Sequence, residues 1–353
     1  MFQALDVNQR KFDGCILMMA IPSHEIERNT SIKVMTAQLP TVSVVIPLYN
    51  KGPHIARALN SVLNQTFQDF EVIVVDSSTD DGTDIVKGFN DPRIRLIQQE
   101  KQGVSAARNL GIDEARAELI AFLDADDEWL PDHLNIILRL RERFPEAGAY
   151  TTAYFMKYHD KCNLQEYHNI PPSPWEGIIP DYFKSASVGR PPVTTSAVAI
   201  PKRIFEDVGK FSIETWWGED MDQWGRIAIR YPIAFSWKGA AVYHLDAVNR
   251  ASDKREKPLH ESPFVKEAKE ILSSGDVLYC PQNSLEEYIS IKEISRAWAH
   301  IRVNKKREAR AILNNLDVEI LRWRRCRALL WTYLPYDLYL KKVKIMELLH
   351  RRL

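Results

Sequence analysis

Two groups of carboxylates are the residues of this chain best suited to chemistry. Asp124, Asp126 and Asp127 close the apolar stretch from Leu119 to Leu123, and Glu219-Asp220 stand well downstream, followed by His244. Asp124 and Asp126 are two positions apart, so on continuing strand geometry they point the same way. They could offer oxygens to one hard cation, with a diphosphate filling its remaining positions. Such a cation neutralises the charge that develops as a phosphate-ester leaving group departs. A separate carboxylate can remove the proton of an incoming hydroxyl as general base, and a neutral His244 imidazole could add a third protein ligand to the metal. Two acid sites with separate tasks suit transfer of a group from a nucleotide diphosphate to an alcohol. Each group also has a plain structural reading. Asp126 or Asp127 caps a turn ahead of a helix opened by Pro131, and Glu219-Asp220 are the acidic first turn of another helix.

The elements that must position these side chains follow from periodicity. Leu119 to Leu123 reads as a short strand buried on both faces, and acids at its carboxyl end lie where open α/β sheets bind ligands. Val42 to Pro47, Phe70 to Val75 and Ile94 to Ile97 are further strands, with helices carrying Ile55 to Leu63 and Ala106 to Ala115 between them. Strand and helix alternating at this spacing predict a mostly parallel sheet with right-handed crossovers. The polar turns then share one edge of the sheet, where Asp76, Arg108 and Asp124 could converge. Further on, the pattern predicts a helix over 131–144, strands over 149–155 and 195–200, and proline-rich connections at Pro171-Pro172 and Pro191-Pro192. A helix over 221–230 and short strands at 233–237 and 241–243 end at His244. The Trp216-Trp217 pair before that helix could stack on an acceptor sugar, but core packing is the favoured reading. Residues 1–40 read as a poorly structured extension, 41–251 as the α/β domain, 252–284 as a linker or loop and 285–353 as a helical region. From Lys292 to the end there are 16 Lys and Arg against 6 Asp and Glu, interleaved with Trp and Tyr. That mixture suits an anionic membrane surface, or a solvated basic face on a packed helical subdomain.

Composition removes several classes. The chain has 353 residues with 47 basic against 47 acidic side chains, which argues against a general nucleic-acid binder. Cys15, Cys162, Cys280 and Cys326 are far apart, with no C-x-x-C pair, so neither a zinc site nor a disulfide framework is indicated and a reducing cytoplasm is expected. No apolar run is long enough to span a bilayer. The first turn carries neither G-x-G-x-x-G nor G-x-x-x-x-G-K-[ST], and there is no G-x-S-x-G, so dinucleotide redox, P-loop and nucleophile-elbow chemistry drop out.

Five segments in order resemble glycosyltransferase family 2: Ser43 to Asn50, Val74-Val75-Asp76 with Thr79-Asp80, Gly103 to Gly111, Phe122 to Asp127, and Gly218 to Asp222. The resemblance covers about Thr41 to Ala251. It implies a GT-A fold, an inverting mechanism, a nucleotide-sugar donor of the UDP type and a Mg²⁺ or Mn²⁺ ion. By that resemblance Pro47, Tyr49, Asp76 and Arg108 contact base and ribose, Asp124 the ribose or metal-bound diphosphate, and Asp126 the metal. Asp220 is the base for the acceptor hydroxyl with Glu219 beside it, and His244 lies near the metal or diphosphate. The chain departs from the pattern at Ser77-Ser78, where a second acid and a glycine are usual, and at Lys101, where Asn is common. Gln223-Trp224-Gly225-Arg226 does not match the Q-x-x-R-W of processive members, which favours single-sugar addition. The expected acceptor is a glycan or lipid-linked molecule in surface polysaccharide assembly, with possible peripheral contact of the C-terminal region at the inner membrane face. Two other classes stay open. A nucleotidyltransferase would be expected to carry a Gly-rich loop where Pro47-Leu48-Tyr49-Asn50 stands, and a non-catalytic nucleotide-sugar binder would tolerate loss of Asp220, which is present.

Overall fold

The computed structural model describes residues 39–100, 103–215, 217–248, 250, 259–276, 278–317, 319 and 321–341. The expected N-terminal extension over 1–38, Lys101, Trp216 and the polar stretch 251–258 lie outside the described residues.

The chain opens with β1 (Val42–Leu48), α1 (Gly52–Leu63), β2 (Phe70–Asp76), α2 (Gly82–Lys87), β3 (Ile94–Gln98), α3 (Val104–Glu114) and β4 (Leu119–Phe122). Then come β5 (Glu128–Trp129), α4 (His133–Arg143), β6 (Ala149–Tyr158), β7 (Lys161–Leu164), β8 (Glu176–Ile178), α5 (Tyr182–Ala186), β9 (Val198–Pro201), α6 (Lys202–Val208), α7 (Glu219–Arg230) and β10 (Ile233–His244). Helices α8 (Pro263–Ser274), α9 (Gln282–Arg302), α10 (Lys306–Asn314) and α11 (Arg322–Tyr333) follow.

The strands form one sheet in the order β3-β2-β1-β4-β9-β6-β10-β5, with β7 on β6 and β8 on β10. The first four are parallel, as the alternation of β-branched runs with helices requires. The second half departs from that rule. β9 runs antiparallel to both β4 and β6, β10 is parallel to β6, and β5, β7 and β8 are antiparallel edge additions. Parallel register sets the site: Leu48 lies opposite Asp76, and Val45 opposite Phe122, so the turns after β1, β2 and β4 leave the sheet at one edge.

Side chains from both faces build the core. On α1 the helical spacing of Ile55, Ala58, Leu59 and Val62 buries one stripe against the sheet. Gly111 lets α3 approach β1 closely, since a Cβ there would stand 2.3 Å from Val45 Cγ1. That approach carries Arg108, one turn earlier on α3, to the sheet edge. Helix α8 occupies part of the expected linker. Ser262 accepts the Val265 N–H as its cap, Pro263 supplies a preset first turn, and Phe264, Val265 and Ala268 are buried in the core. The first half of α9 joins the same core through Leu285, Tyr288 and Ile289, while Ile294, Ala297 and Ile301 form a smaller cluster with α10 and Ala328 of α11. Among the described residues no helix is long and apolar enough to cross a membrane.

Candidate active site

Arg108 joins the two acid groups. Its Nη2 donates to Asp124 Oδ1 at 2.9 Å and its Nη1 to Glu219 Oε1 at 2.9 Å, with the side chain only 4% exposed. The planar guanidinium spans two carboxylates that a lysine's single ammonium could not hold in the same geometry. Glu219 is half-buried beside Asp220. Desolvation, then repulsion from Asp220, outweigh the pull of Arg108 and push its pKa up to about 7. Burial likewise raises the Asp124 carboxyl, opposed by Arg108 and reinforced by Asp126.

Glu219 and Asp220 begin α7 because Gly218 adopts φ 76°, a left-handed turn that only glycine enters cheaply. Asp220 accepts the Met221 N–H at 2.7 Å and, among the described residues, meets no cation. The next acid, Asp222, is structural. Buried on α7, it pairs with Arg226 and accepts the Phe264 N–H at 2.7 Å, fastening α8 to α7.

Three acids after β4 have three different surroundings. Asp126 Oδ2 receives Lys51 Nζ at 2.5 Å, and Arg57 donates to the Asp126 carbonyl. Lys51 Nζ also donates to the Val248 carbonyl at 2.7 Å, and the Val248 N–H donates to His54 Nε2 at 3.2 Å. The chain after β10 is thus fastened over the start of α1. Burial, then the charge of Arg57, lowers the His54 pKa, consistent with its role as acceptor. Asp127 is buried, accepting Ser196 Oγ at 2.5 Å and the His244 N–H at 3.0 Å, while Ser196 Oγ accepts the Asp124 N–H at 3.2 Å. Desolvation first, then Asp126 and Asp124, push Asp127 well above the carboxylate range. Neither Lys51 nor Ser196 was singled out from sequence. Lys51 follows the Tyr49-Asn50 turn directly, which was the available signal; Ser196 left none.

His244 is buried, with Nε2 at 2.9 Å from Glu128 Oε1 and Nδ1 at 3.6 Å from Asp246 Oδ1. Its hydrogen bond is the main cause of a lowered Glu128 pKa. Both ring nitrogens therefore face carboxylates, and a ligand role would require His244 to leave one of them. Asp76 is 0% exposed. Its Oδ1 accepts the Ser78 N–H at 2.8 Å, and its Oδ2 accepts Thr83 Oγ1 and, at 3.2 Å, Gln98 Nε2. Burial opposes its ionisation, but these hydrogen bonds together hold its pKa below the usual value. The carboxylate closes the turn after β2. Pro47 is half-buried at the end of β1, and Tyr49 stands 53% exposed beyond it.

Among the described residues no three of His, Cys, Asp and Glu gather as a metal cage. The donor chemistry nevertheless fits a hard divalent cation completed by ligand oxygens. Mutual repulsion among Asp124, Asp126 and Asp127 is the kind of strain a cation relieves, and Mg²⁺-type sites commonly rest on one or two carboxylates plus phosphates. Asp126 and Asp124 are the residues that would hold it. Lys51 now supplies the positive charge at Asp126.

The sequence profile of glycosyl transferase family 2 matches residues 43–200, which carry β1 to β9 and the Asp-x-Asp turn. Over that stretch the chain is similar to glycosyltransferase family 2. A relative, the putative teichuronic acid biosynthesis glycosyltransferase TuaG of Bacillus subtilis, is 34% identical over 143 residues, 39% of this chain and 56% of the relative. The chain thus spans little more than half of that relative's length. Among solved structures, S. aureus TarS 1-349 in complex with UDP-GlcNAc superposes with a TM-score of 0.60 at 16% identity, covering 83% of this chain and 89% of that one. The mannosyltransferase PcManGT from Pyrobaculum calidifontis, in complex with GDP-Man and Mn²⁺, gives 0.52 at 18%, covering 86% and 84%. At such identities the likeness concerns fold, and the fold is GT-A, extended here by C-terminal helices.

Proposed function

We propose that this chain is a family 2 glycosyltransferase, inverting and metal-dependent. It moves one sugar from a nucleoside diphosphate sugar of the UDP class to a hydroxyl of a glycan or lipid-linked acceptor in cell-surface polysaccharide assembly. The observation that carries this reading is the Arg108 bridge. It ties the Asp-x-Asp edge to the start of α7 and leaves Asp220 beside that edge with no cation of its own. Asp220 takes the acceptor hydroxyl's proton as that oxygen attacks the anomeric carbon, and the bond from that carbon to the diphosphate oxygen breaks on the opposite side. Glu219, clamped by Arg108, positions the first turn of α7. A divalent cation, held by Asp126 and Asp124, would neutralise the departing diphosphate. Pro47 and Tyr49 border the edge where base and ribose would lie, and Asp76 shapes the turn beneath them. The nucleotide sugars held by TarS and PcManGT, the Mn²⁺ of the latter and the polymer named for TuaG support the donor, metal and pathway.

The basic C-terminal helix supports a peripheral site at the inner membrane face. On α11, Trp323 is 88%, Tyr333 67% and Leu330 57% exposed, among Arg322, Arg324 and Arg327. Aromatic and cationic side chains on one outward surface suit anionic lipid.

The test is calorimetric titration of UDP with Mn²⁺, alongside transfer assays over a set of nucleotide sugars. Asp220→Asn is expected to keep nucleotide binding and lose at least about 100-fold in turnover, the scale of a general base. Near-normal transfer by that variant would remove Asp220 as the base, and absence of UDP binding by the unmodified protein would remove the donor.

A further inference from the structure

Helices α7, α8 and α9 border an open-sided cavity of about 200 Å³ next to the turn that carries the acidic pair. Gly218 and Met221, on either side of Glu219 and Asp220, line it together with Thr215, Trp217, Tyr288 and Lys292. Sites that take a whole small ligand run to roughly 300–1,000 Å³. A cavity of this size therefore takes one unit of a longer molecule. Trp217 and Tyr288 give it aromatic walls suited to the apolar face of a sugar ring, in line with the less favoured of the two readings of Trp217.

One cation of the lining, Lys292, stands apart from the ion pairs around it. Lys292 Nζ lies 3.3 Å from Met221 Sδ and 4.8 Å from the centre of the Tyr288 ring, and among the described residues it meets no carboxylate. The neighbouring cations are matched: Arg296 and Lys269 share Glu293, at 2.6 and 3.1 Å, and Lys269 also reaches Glu261 at 2.5 Å. Asp222 is neutralised by Arg226. Thr215, another lining residue, is only 4% exposed, and its Oγ1 finds no hydrogen-bond partner among the described residues. A half-buried ammonium beside a cavity, without a carboxylate partner, is costly unless a ligand satisfies it.

We propose that this cavity seats an anionic group, phosphate or carboxylate, carried by the acceptor next to the unit whose hydroxyl Asp220 deprotonates. Lys292 is its counter-charge. The inference rests on the transferase reading for the word acceptor, but the anion site itself stands on the cavity. α8 and α9 lie beyond the residues matched by the family profile.

Ligand-observed NMR on the full chain would measure binding of glycerol 3-phosphate, glucuronate and neutral glucose, with UDP titrated in parallel. At least one anion is expected to bind more tightly than glucose, the tighter one assigning phosphate or carboxylate. Lys292→Met should weaken that anion about tenfold, the loss expected for one partly desolvated charge contact. Lys292→Arg should restore most of the affinity, and UDP binding should be unchanged in both variants. Equal binding of glucose and the anions, or unchanged anion affinity in Lys292→Met, overturns the proposal. Lys292-dependent anion binding without UDP binding would support the anion site while removing the donor reading, so the two can fail separately.

Discussion

Replacing Arg108 with methionine tests the bridge most directly, because the change removes one cation from between two carboxylates it holds at 2.9 Å each. Removing one member of a buried ion pair typically costs about 3–5 kcal/mol. At this site the loss depends on pH. With Arg108 present, the Glu219 pKa stands near 7 against an ordinary 4.5. At about 1.4 kcal/mol per unit, ionised Glu219 already costs the fold on the order of 3 kcal/mol above that pH. Because the folded value is the higher one, this cost is fully present in alkaline solution. It fades as pH falls through 7 and vanishes below the unfolded value. Without Arg108 the carboxyl is harder still to ionise. The deficit of Arg108→Met against the unmodified chain should therefore be about 3–5 kcal/mol at pH 8 and shrink by about 1–2 kcal/mol at pH 5.5, where Glu219 is protonated in both proteins. Urea denaturation followed by tryptophan fluorescence at both pH values measures the two deficits, and nine tryptophans provide the signal. A deficit that is the same at pH 5.5 and 8, or below about 1 kcal/mol at pH 8, would refute the bridge as a coupled buried charge network.

Other substitutions probe separate parts of the site. Lys51→Met removes the ammonium that rests on Asp126 and should tighten Mn²⁺ binding about threefold or more, read by electron paramagnetic resonance in the absence of nucleotide; unchanged affinity would show that Lys51 does not compete with the cation. Asp126→Ala should abolish the Mn²⁺ dependence of UDP titrations, and an unaltered enthalpy and affinity would contradict its assignment as ligand. Ser196→Ala leaves the Asp127 carboxylate short of one buried hydrogen bond and should cost about 1–3 kcal/mol in urea denaturation. Trp323→Ala combined with Arg324→Gln should reduce sedimentation with phosphatidylserine vesicles, whereas equal sedimentation would leave α11 as a solvated face.

What the sequence by itself determined was the part governed by local periodicity and order. β1 to β4 and the helices between them are written in β-branched runs and helical spacing, and parallel connection then sends their turns to one edge. That was enough to expect Asp76, Arg108 and Asp124 at one edge, of which Arg108 and Asp124 meet while Asp76 turns to Ser78, Thr83 and Gln98, and to mark Glu219-Asp220 as a second acidic group. Tertiary structure decided which acid is left free. Asp76, Asp126 and Asp127 look alike along the chain, yet one closes a turn through Thr83 and Ser78, one pairs with Lys51 and one holds Ser196 and the His244 N–H. Among the described residues Asp220 forms no ion pair. The antiparallel strands of the second half, the packing of α8 where a linker was expected, and the Lys292 cavity were also beyond sequence reasoning. The reason is physical: a carboxylate's chemistry is set by its burial and by the charges within a few ångströms, and here those arrive from strands and helices far apart in sequence.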